Sequence, residues 1–266
     1  MKCHSALLVI RTIICLCTFG ITFCLISPLK AQSLSFLYAK AVNNSLPQGN
    51  NVQTRSVAVD GSGNVYITGY FDYTADFDPG AGVANLTALG YNTNIFLAKY
   101  TASGAYVYAK AIYGSNTGQG LAIAVDGSSN VYLSGNYSGT ADFDPGAGTV
   151  NLTSAGGSDI FLARYDASGN YVWAKSMGGT SNDIGRGIVL DASANIYMVG
   201  EFSTTVDFDP GMATVNLTSA GSNDIFLAKY DASGNYVYAK GMGSTGIDIG
   251  HGIAIDASSN AYITGQ

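Results

Sequence analysis

From residue 122 to residue 187, short apolar runs alternate with words built from Gly, Asn, Asp and Ser. The runs, rich in Val, Ile, Tyr and Phe, stand at 123–126, 131–135, 159–165 and 171–175. Short β-branched and aromatic runs bounded by turn residues predict strands. No window sustains a 3.6-residue apolar period, so no helix is expected past the N-terminal segment. The run Ile-Phe-Leu-Ala at 160–163 is apolar at every position. Continuous apolarity suits a strand covered on both faces, and strict alternation would mark a half-wet sheet. Two of the connections are words of the type Asp-x-Ser-x-Asn, at 126–130 and 166–170. An Asp at the first position can bind backbone two residues on, and a Gly or Asn can take positive φ.

The whole pattern repeats. The word DFDPG stands at 76–80, 142–146 and 207–211, so its starts are 66 and then 65 residues apart. First strands of successive copies begin at Val57, Ile123, Ile188 and Ile253, and 36–40 matches the fourth strand of the unit. A period of this size signals an array of one supersecondary unit. Four antiparallel strands per repeat, stacked side by side, predict an all-β fold of β-propeller blades, each covering the next. The chain would enter on a fourth strand, build three blades and begin a fourth, an incomplete array of about 3.5 blades. A fragment of a longer array is the expectation, with an exposed sheet edge prone to association.

Residues 1–31 differ in kind. Lys2 and Arg11 precede or interrupt an apolar stretch at 12–26, and Ala31 is a suitable cleavage position. This predicts a secretory signal peptide, with 32–266 as the repeat domain and a secreted or cell-surface destination. The apolar stretch is short for a span of about 20 residues, so no membrane insertion is expected after cleavage. Cys3, Cys15, Cys17 and Cys24 all fall inside this segment. The remaining chain then offers no disulfide, Cys ligand or thiol nucleophile. Phe23 precedes Cys24 where a lipidated cysteine needs a small neighbour. Removing 1–31 takes three cations and no acid, leaving 9 Lys+Arg against 18 Asp+Glu, a net charge of −9. Such a surface disfavours nucleic acid and anionic membrane and tolerates divalent cations.

Candidate chemistry is sparse. Beyond the leader there is one histidine, His251, and one glutamate, Glu201. His251 occupies the place of Arg186 and Leu121 in other copies, so a Ser–His–Asp relay has no repeated base. Paired carboxylates occur in DFDPG, but a group present three times is better suited to holding than to catalysing. The candidate ligand-facing residues are Asp76, Asp78, Asp142, Asp144, Asp207 and Asp209. Asp183 and Asp248, in the links between repeats, are expected on the same face. The alternation Asp-x-Asp before a Pro-Gly turn could offer hard oxygens to Ca²⁺. The simpler reading is that the two Asp bind nearby amides and shape the turn while the Phe packs inward. The connection carrying the word, 24 residues between Gly135 and Ile160, is long for a loop. Recurring aromatics at Tyr38, Tyr108, Trp173 and Tyr238, and at Tyr66, Tyr132, Tyr197 and Tyr262, read as packing between blades before they read as a sugar platform. The recurring sequons at Asn85, Asn151 and Asn216 read as strand or turn residues.

The words Ile-Ala-Val-Asp-Gly-Ser-Ser-Asn-Val-Tyr-Leu-Ser-Gly at 123–135 and its copies at 57–69, 187–200 and 253–265 resemble the SBBP-type bacterial β-propeller repeat. The link words at 178–183 and 243–248 and the strand Asp-Ile-Phe-Leu-Ala-Lys-Tyr at 224–230 are similar to it too. The resemblance covers nearly all of 36–266. The DFDPG version looks like copies found in secreted proteins of gliding-type bacteria. It implies an extracellular propeller and brings no catalytic residues. The expected function is therefore a non-catalytic binding scaffold for a protein or carbohydrate, without a cofactor. The alternative is the propeller portion of a larger secreted enzyme or adhesin with its functional domain beyond Gln266.

Overall fold

The computed structural model describes Asn43, Asn44, residues 52–90 and residues 92–266. The expected signal peptide, and the strand at 36–40 with Tyr38, lie outside the described residues. Seventeen strands and no helix are described: β1 (Asn43–Asn44), β2 (Val52–Val59), β3 (Val65–Phe71), β4 (Thr74–Asp76), β5 (Asn85–Thr87), β6 (Asn94–Tyr100), β7 (Tyr106–Gly114), β8 (Gly118–Val125), β9 (Val131–Asp142), β10 (Asn151–Tyr165), β11 (Tyr171–Met177), β12 (Ile184–Leu190), β13 (Ile196–Asp207), β14 (Asn216–Tyr230), β15 (Tyr236–Met242), β16 (Gly250–Ile255) and β17 (Ala261–Gly265).

Every pairing is antiparallel, and each repeat forms a sheet in chain order. The first sheet is β2-β3-β6-β7, the second β8-β9-β10-β11 and the third β12-β13-β14-β15, with β16-β17 after them. These are the four-stranded antiparallel blades of a β-propeller fold. First strands of successive sheets lie side by side, β2 next to β8, β8 next to β12 and β12 next to β16.

The apolar third strand explains why the sheets must stack. In β10, Ile160, Phe161, Leu162 and Ala163 are all fully buried, alternate residues facing opposite neighbours. Burying four such side chains contributes roughly 1.5–3 kcal/mol for each large one. Phe161 and Ala163 join a core shared with Ile95 and Leu97 of the first sheet. Ile160 and Leu162 join the core of the third, with Met198, Phe202 and Phe226. Tyr66, Tyr132 and Tyr197 on the second strands are buried in the same way, whereas Tyr262 on β17 is 60 % exposed, since no following sheet is described beyond it.

Glycine sets the spacing between sheets. A Cβ on Gly120 would sit 2.3 Å from Thr68 Oγ1, and one on Gly185 2.3 Å from Ser134 Oγ, in both cases the preceding sheet. Aromatic and cationic side chains complete the seam. Lys99 lies 4.9 Å over the Tyr66 ring and donates to the Ala167 carbonyl of the second sheet at 3.1 Å. Arg164 and Lys229 repeat the ring contact on Tyr132 and Tyr197. Tyr108 and Trp173 back onto Gly169 and Gly234 of the following sheet. These aromatics are inter-sheet packing, as the period implies.

The Asp-x-Ser-x-Asn words form the expected turns. In each, the Asp accepts from the amides two and four residues on, and its second oxygen takes the Asn side-chain amide, as at Asp126 with Ser128 and Asn130. The positive φ falls on the fourth residue, not on the Asn. That residue is Gly at 63, 169 and 234, but Ser129, Ala194 and Ser259 also sit at φ 60–63. The Asn is held elsewhere because its side chain closes the turn onto Asp. A Cβ in the left-handed region costs about 1 kcal/mol. Ala194→Gly is therefore expected to raise the melting temperature by roughly 2–4 °C. Thermal unfolding followed by circular dichroism checks it, and an unchanged or lower midpoint goes against the strain.

Candidate functional site

The long second-to-third connection is not an irregular loop. β9 and β10 run on past the body of the sheet and pair again, Thr140 with Thr153, Ala141 with Leu152 and Asp142 with Asn151, after a register shift between Thr153 and Ser158. β13 and β14 do the same through Thr205 with Thr218 and Asp207 with Asn216. In the first sheet the extension is the separate pair β4-β5. Each repeat thus carries a hairpin arm. Alternating polar residues such as Asn-Leu-Thr at 151–153 made a strand here that a reading for apolar runs passes over. The unpaired stretch shrinks to 143–150.

DFDPG is the tip of that arm. Asp142 Oδ1 accepts from the amides of Asp144 (3.1 Å) and Val150 (2.8 Å), and Asp144 Oδ1 from Gly146 (2.8 Å). Asp76 with Asp78, and Asp207 with Asp209, repeat every one of these bonds. The Phe between them turns back into the protein and is fully buried in all three copies. Phe143 packs against Tyr137 (centroids 5.4 Å) and Phe161 (5.2 Å). Its carbonyl accepts from the Tyr165 hydroxyl at 3.1 Å, as Phe77 does from Tyr100 and Phe208 from Tyr230. Burial pushes the Tyr165 phenol well above its ordinary range, keeping it a donor.

The arm also reaches the preceding sheet. Asp142 and Ala141 pair with Tyr113 and Gly114 at the end of β7. The same bridge joins Asp76 and Ala75 to β1, and Asp207 to Gly178. What remains free is the crest, residues 80–83, 146–149 and 211–214, where Val83 and Met212 are among the most exposed apolar side chains described. Below the crest, paired threonine hydroxyls (Thr74 with Thr87, Thr140 with Thr153, Thr205 with Thr218, each 2.9 Å) and the exposed Asn85, Asn151 and Asn216 line the arms.

Asp183 does not face outward with the tips. Asp183 is fully buried, its oxygens accepting from the amides of Gly179 and Ser203 at 2.9 Å. Burial, with a smaller push from Asp159, raises its carboxyl to about 6. Asp248 is half-buried and accepts from the Ser244 amide. Among the described residues no three His, Cys, Asp or Glu side chains gather as a metal-binding group. His251 is exposed on β16. Arg186 and Glu201 form a 2.8 Å ion pair with the glutamate buried. Sequence reasoning missed the buried polar set at one repeat position, Asn94, Asp159 and Asp224. Its only signal was that a polar residue recurs just before each apolar third strand.

The Phe and the Asp residues of the tip make separable contributions. Phe143→Ala is expected to cost about 3–5 kcal/mol, because a sealed aromatic leaves a cavity. Asp144→Asn keeps the acceptor for Gly146 and is expected to cost under about 1 kcal/mol. Urea unfolding of both variants checks this, and equal costs would contradict it.

Residues 48–70 match the SBBP family, a beta-propeller repeat. An uncharacterized WD repeat-containing protein of Acanthamoeba polyphaga mimivirus is 28 % identical over 184 residues, which is 60 % of this chain and 13 % of that protein. The regulatory protein FlaEY of Caulobacter vibrioides is 24 % identical over 188 residues, 71 % of this chain and 19 % of its own. The chain thus spans less than a fifth of either curated relative. Together with the sheets, these likenesses suggest a repeat scaffold.

Proposed function

We propose that this is a non-catalytic, secreted scaffold that binds a protein or carbohydrate through the crests of its hairpin arms. The observation that carries the reading is the arm itself. Its base is locked by a buried Phe and by a bridge to the chain segment that precedes the sheet, while its crest is exposed in all three copies. Rigid support under a variable exposed tip is what a binding surface requires. The crests differ, Gly-Ala-Gly-Val at 80–83, Gly-Ala-Gly-Thr at 146–149 and Gly-Met-Ala-Thr at 211–214, on a base that does not. Secretion rests on the leader-like segment at 1–31. The aspartates of the tip hold the crest and leave Asp144 partly exposed, so Ca²⁺ as an added ligand is the weaker form of the proposal.

A second reading is that the repeats are one part of a larger secreted enzyme or adhesin. The short share of each curated relative that the chain covers favours it. The rest of the reading frame decides, since a catalytic or sorting domain after Gln266 would place the activity there.

If the leader is cleaved after Ala31, N-terminal sequencing of protein from the culture medium starts at Gln32. A membrane-bound product starting at Met1 overturns secretion. For binding, the secreted protein is immobilised and exposed to polysaccharides and proteins extracted from the envelope of the producing cell. Val83→Lys, Thr149→Lys and Met212→Lys, combined, are expected to lower retention at least tenfold without changing the melting temperature. Undiminished retention refutes the crest as the binding surface. Titration with millimolar Ca²⁺ gives heat that disappears in Asp142→Asn with Asp144→Asn if the tips take the ion, and none if they only hold the turn.

A further inference from the structure

The link from the second sheet to the third runs from Gly178 to Asp183, and two carboxyl groups are shut inside it. Asp159, at the point where β10 enters the sheet, is 2 % exposed, and Asp183 is 0 %. Gly178 lies against Asp159 so closely that a Cβ there would fall 2.1 Å from its carboxyl carbon. Gly179 donates to Asp183. The pair therefore flanks one Gly-Gly turn. Asp159 Oδ2 takes the Ala155 amide (3.0 Å) and a long contact from the Ser176 hydroxyl (3.4 Å), but its Oδ1 has no partner among the described residues. Among the described residues neither carboxyl has an ion pair. Two buried negative charges with an unbonded oxygen and no counter-ion are costly, and one proton removes most of that cost.

Among the described residues the surroundings offer no other relief. From β9 comes Tyr137, whose hydroxyl donates to Ser176 and whose phenol burial pushes up to about 12, so it stays neutral. From β12 comes Arg186, already held by Glu201 of β13. Asp207 of β13 meets Gly178 through its backbone. Burial raises both carboxyls, Asp183 to about 6, which agrees with the geometry.

We propose that this link is a proton-operated clip, closed while the pair Asp159 and Asp183 carries a proton and loosened when both are ionised. Its moving part is the third arm. Asp183 Oδ1 holds the Ser203 amide, at the register shift where β13 leaves the sheet to form that arm. The first link is a built-in control. There Asn94 and Gly118 take the two positions, so nothing titrates, yet Gly118 makes the same backbone bond to Thr93 that Asp183 makes to Ser158. The sign is fixed by linkage. A carboxyl raised in the folded state gives stability that is complete below about pH 4 and is lost as pH rises through about 6.

Amide hydrogen exchange, corrected for its intrinsic pH dependence, tests the clip in the whole secreted protein. Between pH 5 and pH 7.5, protection at 178–185 and 200–207 is expected to fall about tenfold or more relative to 113–120 and 135–142. Asp159→Asn, which copies Asn94, is expected to reduce the difference. Should that variant fail to fold, the comparison of the two links in the unaltered protein decides by itself. Parallel protection in both links, or an Asp159→Asn protein that keeps the full pH response, overturns the proposal.

Discussion

A four-stranded sheet whose third strand is apolar on both sides cannot exist alone in water, and the rest of the molecule follows from that. Ile160 and Leu162 point to one neighbour and Phe161 and Ala163 to the other, so the second sheet is stable only between two others. Glycines on the first strands let the sheets approach. The third-strand cations then lie on the second-strand tyrosine rings, and Lys99 and Arg164 reach backbone carbonyls of the next sheet. Where no further sheet is described, the same tyrosine position is open to solvent.

The arms obey the same logic at smaller scale. A two-stranded hairpin is marginal in water. Here it is anchored at three points, by the buried Phe, by the tyrosine hydroxyl on the Phe carbonyl and by a bridge to the preceding chain segment. The Asp residues of the tip satisfy amides that the reversal of the chain would leave bare. Such an arrangement frees only the crest to vary. The proposed binding surface and the structural repeat therefore divide the arm between them, residue by residue.

The links differ from the arms in burying carboxyl groups away from solvent. Asn94 and Gly118 make the first link electrically silent, while Asp159 and Asp183 make the second responsive to protons on an otherwise equivalent frame. The third link carries the same two residue types, Asp224 buried against Gly243 and Asp248 half-buried, so the first link is the one that departs from the pattern.

The sequence by itself determined the repeat, the four strands, the Asp-x-Ser-x-Asn turns and the burial of Tyr66, Tyr132 and Tyr197 between sheets, because each rests on local propensity or on a period that stacking must satisfy. DFDPG as an Asx-stabilised turn with its Phe inward was legible for the same reason. Three things belonged to the tertiary structure. The polar flanks of DFDPG became strands because the arm pairs with itself and with the previous sheet, a contact with no apolar signature. The left-handed residue of the first turns fell on Ser129, Ala194 and Ser259 because the Asn side chain was already committed to Asp. The link carrying Asp183 lies beside the third arm, but the Asp183 side chain went inside, because the Gly179 and Ser203 amides that receive it are brought together only when two sheets meet.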